Sequence, residues 1–384
     1  MTGPALDPHT FCDALLSAGV AHFSGVPCSI LDPIVTALET RHGDAYVPAS
    51  VEGEGVAMAA GTWLGGSLSA VFLQNSGLGN TINPIASLAI PYGIPMILVV
   101  SWRGQPGKND AVHHHPMGSA TPGLFDLFGV PMEALTPTSD LDAVVTRAVA
   151  AATSGQCPAA IVVPAGLFPK SAARAIDRPT RPSSSVSPRH FPGTTRPSRA
   201  EATARVLEAV GRVALVSTTG YASREVAARG EAHHFPMQGS MGFALAIGLG
   251  LTRARPTTRV VVLDGDGAAI MRLGSFATAG HLGPRRLAHF VFDNASYAST
   301  GGQASVSPSV DFAQVALACG YRHAATCSGL EGLGEALDFV ESVKDDGPAL
   351  LRVMISSRES TPRERPEEAP PVIARRFREA LSGI

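Results

Sequence analysis

Val260-Val261-Val262-Leu263-Asp264-Gly265-Asp266-Gly267 is an apolar run ending in a Gly-Asp-Gly turn, and a second run, His289-Phe290-Val291-Phe292-Asp293, delivers Asn294, with residues 268–293 between Gly267 and that Asn. Short continuous apolar runs of this kind are the pattern of strands buried on both faces of a parallel sheet. A Gly-Asp-Gly triplet alone is an ordinary tight turn. Placed at a strand end, its glycines let the backbone approach a phosphate closely, while its carboxylate and a distant amide oxygen can share one hard cation. Asp266 and Asn294 therefore read as two strand ends that grip one metal-bound phosphate group.

The rest of the chain frames this pair. At 384 residues it is too long for one ordinary core and suits two domains. A net charge of −2 lacks the basic surplus expected of a nucleic-acid binder. No apolar run approaches the roughly 18 residues a membrane helix needs, and Met1 to Pro8 lacks the basic-then-apolar order of a secretory signal. Cys12, Cys28, Cys157, Cys319 and Cys327 are odd in number and form no Cys-x-x-Cys, which argues against a disulfide framework or a zinc site. A cytoplasmic enzyme is the expectation.

Apolar runs at Ala45–Val47, Ala70–Leu73, Pro95–Val100 and Ala160–Val163 alternate with helical stretches. From Arg174 to Arg199 Pro, Ser, Thr and Arg crowd the chain, a composition that holds no core. Alternation resumes at Val213–Val216 and continues through Val260–Leu263, Leu287–Phe292 and Ala349–Ile355. The expected architecture is α/β, with two doubly wound parallel-sheet domains: 1–173, a linker at 174–199, and 200–356. Residues 357–384 form a charged, Pro-rich tail, in which Val372 to Leu381 has the pattern of one amphipathic helix that packs on the body or on a neighbouring subunit.

Further clusters carry chemistry. Val51-Glu52-Gly53-Glu54-Gly55 puts acids at the start of a helix of small residues, where the helix dipole favours them. Gln74-Asn75-Ser76-Gly77-Leu78-Gly79-Asn80 follows a strand and offers amides and a hydroxyl at the carboxyl end of a sheet, where open α/β sheets bind ligands. Trp102-Arg103-Gly104, Lys108, Asp110 and His113-His114-His115 form a Gly/Pro loop with donors for an anion and a group that titrates near neutrality. Neighbouring histidines on an extended loop diverge, which disfavours a metal there.

Taken in order with Gly239-Ser240-Met241-Gly242 and Ser299-Thr300-Gly301-Gly302-Gln303, these blocks make the chain similar to the thiamine-diphosphate-dependent decarboxylases, from about Val20 to about Tyr321. Within that family it resembles the short branch acting on phosphonopyruvate or sulfopyruvate, which lacks a middle domain. The resemblance implies thiamine diphosphate and Mg²⁺ as cofactors, with a first domain that binds the pyrimidine and a second that binds the diphosphate and the metal. In the family these come from different subunits, so a homo-oligomer with active sites between subunits is implied.

The residue roles carried over are as follows. Glu52, nine positions before Gly61 as in the family, hydrogen-bonds the cofactor pyrimidine, with Glu54 the runner-up. Asp266, the Asn294 side chain and the Ser296 carbonyl ligate Mg²⁺. Gly265, Gly267 and Ala268 contact the diphosphate in the Gly-Asp-Gly block, and Thr218-Thr219-Gly220, after the strand Val213–Val216, supplies hydroxyl and backbone N–H donors to it. Gly239 and Met241 support the rings, Met241 as an apolar wedge. Asn75, Ser76 and Gly77 meet the cofactor from the first domain. Arg103, Lys108, His113, His114 and His115 face the substrate, with His114 also catalytic. The expected reaction is decarboxylation of 3-phosphonopyruvate to phosphonoacetaldehyde in phosphonate metabolism. The alternatives are sulfopyruvate as substrate, or a catalytically silent paralogue that serves as an assembly subunit. Where the family shows Asp-Glu-Pro-Gln-His, this chain keeps Asp110 and His114 but has Ala111-Val112-His113 between them.

Overall fold

The computed structural model describes residues 6–171, 187–358 and 364–383, and the chain divides into two compact units, Met1–Arg178 and Pro179–Ile384. The first unit holds strands β1 (Val20–Gly25), β2 (Tyr46–Pro48), β3 (Leu68–Gln74), β4 (Met96–Trp102), β5 (Met132–Ala134) and β6 (Pro158–Pro164) in one sheet of order β2-β1-β3-β4-β6-β5. Every pairing in it is parallel. The central strands β3, β4 and β6 are buried almost end to end, because helices cover both faces and leave no wet side to accept alternating polar residues. Phe11, Leu15, Phe23, Phe72, Ile97 and Ile161 lie in the core on one face.

The direction of winding reverses between β1 and β3, the kind of place where open α/β sheets leave a crevice for ligands. The helix Glu52–Leu64 lies close against β3, since Gly55 brings its backbone onto the Val71 side chain. Small residues here serve a helix-on-sheet approach as well as contact with the helix Leu78–Pro84.

The second unit holds β7 (Arg189–Phe191), β8 (Ala214–Ser217), β9 (His234–Pro236), β10 (Val260–Gly265), β11 (Leu287–Asp293), β14 (His323–Cys327) and β15 (Ala349–Met354) in the order β7-β14-β15-β11-β10-β8-β9. These pairings too are parallel, and a small antiparallel hairpin, β12 (Ser296–Tyr297) with β13 (Gln303–Ala304), stands apart. Among the described residues no third folded unit intervenes.

The strands expected from Val/Ile/Leu runs are present, and five others joined them. β1, β9 and β14 interrupt their apolar residues with His, Ser or small alanines, and β5 and β7 are three residues long, so none shows a continuous run. Of the expected linker 174–199, residues 174–186 lie outside the described residues. Arg189–Phe191, within it, is the edge strand β7, and the helix Arg199–Val210 starts after the side-chain cap of Ser198.

The tail forms the helix Pro370–Ala380, with Ile373, Ala374 and Phe377 buried. Phe377 sits 5.5 Å from the Phe235 ring of β9, so this helix packs on its own unit.

Candidate functional site

In the second unit β8, β9, β10 and β11 end at the same edge of the sheet, and the turns that follow them carry the residues singled out from sequence. Asp266 opens the helix Asp266–Met271 directly after β10 and is 4% exposed. Burial is the main reason its carboxyl is held above the ordinary carboxylate range, and the nearby Asp293 charge adds to it. Ser305 donates its hydroxyl to Asp266 Oδ2, yet no cationic side chain pairs with Asp266 among the described residues. A buried carboxylate without a counter-charge fits a bound cation.

Asn294 follows β11, and its Oδ1 accepts the Ser296 N–H at 3.1 Å, with a second lone pair left for a metal. Ala295 between them has φ +55°, a strained conformation for a residue with a Cβ. It is held there because its N–H donates to Asp293 Oδ1 at 3.0 Å and its carbonyl accepts from Ser305 N–H at 2.9 Å.

The same cleft is walled by Thr218, Gly220, Met241 and Gly265. The Thr218 hydroxyl is buried without a hydrogen-bond partner, and a Cβ built on Gly265 would meet only open space. Gly220, at φ +93°, turns the chain into the helix Tyr221–Ala227. Thr219 Oγ1 accepts the Gly239 N–H at 3.1 Å and so ties the turn after β8 to the loop bearing Met241, where Ser240 is a second non-glycine at positive φ. Gly267 is glycine for packing, since a Cβ there would overlap the Tyr297 ring. Ala268 lies one step into the helix and is buried. An unsatisfied hydroxyl, an open glycine face and a lone buried carboxylate together fit a diphosphate with its cation. Among the described residues no cluster of three His, Cys, Asp or Glu offers another metal cage.

The first unit gathers its candidates at the carboxyl edge of its own sheet: Glu52 after β2, Asn75 to Gly77 after β3, and Arg103 to His115 after β4. Glu52 and Glu54, one helical turn's neighbours, have different surroundings. Glu54 is fully buried, and its Oε2 accepts the Ser50 N–H at 2.6 Å and the Ser50 hydroxyl at 2.7 Å, which secures the helix start. Glu52 lies instead over Gly77, with Oε2 accepting from Asn80 Nδ2 at 2.7 Å. Asn75 is fully buried: its amide donates to the Arg103 carbonyl at 2.8 Å and to Thr121 Oγ1, and its oxygen accepts the Arg103 N–H at 3.0 Å. That side chain braces the ends of β3 and β4, whereas Ser76 is exposed beside Gln74.

The loop after β4 folds back on itself around Asp110. This carboxylate accepts the Gly104 N–H at 2.8 Å and the Ala111 N–H at 2.8 Å, and also bonds His114 Nδ1 at 2.9 Å and Arg103 at 3.1 Å. Those contacts, led by the Gly104 bond, hold its carboxyl well below the usual range. Asp110, at 2.9 Å, is the nearer partner of His114 Nδ1 and favours a proton there, although the Arg103 Nε–H also points at that nitrogen from 3.4 Å; Nε2 is the nitrogen left for other chemistry. His114 is 8% exposed, while His113, His115 and Lys108 are exposed; the His113 and His114 rings lie 4.1 Å apart, but among the described residues the histidines form no group that could hold a metal.

Sequence reasoning passed over Ser305, Ser307 and Arg352, which reach the site through chain returns that spacing does not show. Thr218 and Asn80 stood inside blocks read from sequence, but the bond from Asn80 to Glu52 was not foreseen.

Residues 9–121 match the family model described as thiamine pyrophosphate enzyme, N-terminal TPP binding domain, and residues 216–353 match the C-terminal TPP binding domain. The chain is 39% identical over 376 residues to a phosphonopyruvate decarboxylase of Streptomyces viridochromogenes, covering 95% of this chain and 92% of that protein. A sulfopyruvate decarboxylase of Methanosarcina acetivorans is 28% identical over 304 residues, 77% of this chain and 78% of that one. Among solved structures, the thiamine diphosphate-dependent 4-hydroxybenzoylformate decarboxylase of Rhodococcus jostii RHA1 superposes with a TM-score of 0.67 at 13% identity, over 93% of this chain and all of that one, a likeness of fold alone. With both binding domains matched and a relative aligned along nearly its whole length, the chain belongs to the thiamine pyrophosphate enzymes, in the phosphonopyruvate decarboxylase family.

Proposed function

We propose that the protein is a thiamine-diphosphate- and Mg²⁺-dependent carboxy-lyase that converts 3-phosphonopyruvate to phosphonoacetaldehyde and CO₂, working in the cytoplasm as a homo-oligomer. The observation that carries this reading is the likeness to a phosphonopyruvate decarboxylase over 95% of the chain. Five unpaired cysteines fit a reducing compartment.

When bound, the cofactor would supply a nucleophilic thiazolium carbon to bond the ketone and a cationic ring to accept the electron pair left by CO₂. The chain's own groups bind, orient and move protons. Asp266, Asn294 Oδ1 and the Ser296 carbonyl hold Mg²⁺, a hard-oxygen set suited to that ion. Thr219, Gly220, Gly265, Gly267 and Ala268 line the diphosphate, with the Thr218 hydroxyl available to it, and Gly239 and Met241 give the rings a close backbone and an apolar support. Glu52, free of the bonds that occupy Glu54, exchanges a proton with the pyrimidine nitrogen, against a floor made by Gly77. Ser76 is exposed beside it, and Asn75 acts as the brace already described.

On the substrate side Arg103 and Lys108 offer charge-assisted bonds to a phosphonate, with His113 and His115 as exposed donors. His114 Nε2, its tautomer favoured by Asp110, gives or takes the proton at the reacting carbons.

The test is a product assay with phosphonopyruvate and sulfopyruvate, each with and without thiamine diphosphate and Mg²⁺. Phosphonoacetaldehyde and CO₂ formed only with both cofactors support the reading. Equal or better use of sulfopyruvate sinks the substrate assignment, and cofactor binding without turnover of either acid would leave the silent paralogue. In the same assay Asp266→Ala and Asn294→Ala should each lose Mg²⁺-dependent cofactor retention while still folding, because each removes an oxygen that no neighbour replaces; normal retention in both would overturn the metal assignment.

A further inference from the structure

Asp264 and Asp266 line the cleft where the diphosphate is proposed to lie, and Asp293 is buried beside them; Asp264 accepts the Gly265 N–H at 3.0 Å and lies 3.6 Å from His289, and the contrast is between the other two. Asp266 follows β10 and Asp293 ends β11; each is 4% exposed, and the Asp293 charge acts on Asp266. The chain treats them oppositely. Asp293 is saturated: Oδ2 accepts Arg352 Nε at 2.8 Å and a second guanidinium N–H, while Oδ1 accepts the Ser307 hydroxyl at 2.7 Å and the Ala295 N–H at 3.0 Å. Arg352 projects from β15, paired beside β11, and is mostly buried. Asp266 receives hydroxyl and backbone bonds, from Ser305 and Gly267, but no cation among the described residues. Ser305 and Ser307 lie on one stretch of chain, so a single segment pins both carboxylates after the hairpin returns.

We propose that Arg352 is a positioning residue that makes the cleft tolerate a polyanion: by cancelling Asp293 from the neighbouring strand, it leaves the metal diphosphate one buried carboxylate charge fewer to face. The inference rests on the cofactor reading above and adds to it a residue outside the ligand set. A diphosphate brings more negative charge than one Mg²⁺ neutralises. A further uncompensated carboxylate in the same low-dielectric corner would repel it, since buried like charges are screened little. A bidentate guanidinium is suited to this task, because it stays charged and holds a carboxylate oxygen through fixed geometry.

The competing explanation is a plain brace, since Arg352 also lies over the Phe312 ring, 5.6 Å from its centre. Charge and bracing separate in three variants: Arg352→Gln, Asp293→Asn, and the two combined, in which neutral amides can face each other. Each would be titrated calorimetrically with thiamine diphosphate at fixed Mg²⁺, alongside the unmodified protein, with thermal melting to confirm folding.

On the charge account Arg352→Gln weakens cofactor affinity by about 10- to 100-fold, the range for groups that support a metal site from behind. The double variant returns to within about threefold of the unmodified protein, and Asp293→Asn alone binds as tightly or more so. Equal weakening in all three, or no weakening in Arg352→Gln, overturns the inference. Should Arg352→Gln fail to fold, Asp293→Asn decides: retained or tighter binding supports the charge role, weakened binding refutes it. If the unmodified protein itself bound no thiamine diphosphate, the cofactor reading would fall first, an outcome distinct from these.

Discussion

Glu52 and Glu54 differ by two positions and by everything around them. Glu54 is spent on Ser50, so its loss is a stability effect: Glu54→Gln sets an amide against two donors in a dry pocket and should cost about 1–3 kcal/mol, read from denaturant midpoints. Glu52→Gln should leave stability nearly unchanged and slow exchange of the thiazolium C2 proton by about 100-fold or more, measured by NMR in deuterated buffer. Reversed effects would mean that the proton-exchanging group is Glu54. Gly77 supplies an independent check. A Cβ there would overlap the Glu52 carboxylate, the far end of a flexible side chain that can swing aside. Gly77→Ala should therefore fold, yet slow C2 exchange toward the Glu52→Gln level; an unchanged exchange rate would show that the Glu52 position over Gly77 is irrelevant.

At the scale of the element, β9 and the C-terminal helix make one packed unit that the sequence left open. Phe377 is fully buried against Phe235, so Phe377→Ala should remove about 3–5 kcal/mol of stability. The tail backbone at Glu368 also accepts from Gln238, next to Gly239, so loosening the helix should be felt at the Met241 loop. β9 carries a pH signature as well. Burial, then the charges of His233, Arg376 and Arg229, push His234 down to about 4 from 6.5. The unfolded chain then takes up this proton before the folded one, so stability rises with pH between about 4 and 6.5 and is lost as pH falls through that window. Chemical denaturation at pH 6.5 and 5.0 should show this loss, reduced in His234→Leu; an equal loss in that variant would assign it to other groups.

Across the whole molecule the substrate decides the function, and charge decides the substrate. Near neutral pH a phosphonate carries close to two charges and a sulfonate one, so under the proposed reading Arg103, Lys108 and His114 would gain more from phosphonopyruvate than from sulfopyruvate, and least from pyruvate, which brings no second anionic group. The expected order of kcat/KM is phosphonopyruvate, sulfopyruvate, pyruvate, with the steps flattened in Arg103→Ala. A phosphonate preference untouched by that substitution would place the anion site elsewhere. No described helix is long and apolar enough to cross a membrane, which matches the lack of any such run in the sequence.

Strands made of Val, Ile and Leu could be read directly, because a strand buried on both faces has no alternative but continuous apolar residues; β3, β4, β6, β10, β11 and β15 fell to this rule. β1, β9 and β14 did not, since Ala, Ser and His are compatible with many settings and only the neighbouring strands decide. The spacing of Asp266 and Asn294 likewise announced itself, for each sits immediately after a legible strand. Their surroundings could not: Ser305 on Asp266, Arg352 on Asp293, Asn80 on Glu52 and Asp110 on His114 are bonds formed when the chain returns on itself. Local periodicity fixes which face of an element is buried, whereas a charge is cancelled or left exposed by whichever distant segment tertiary packing brings beside it.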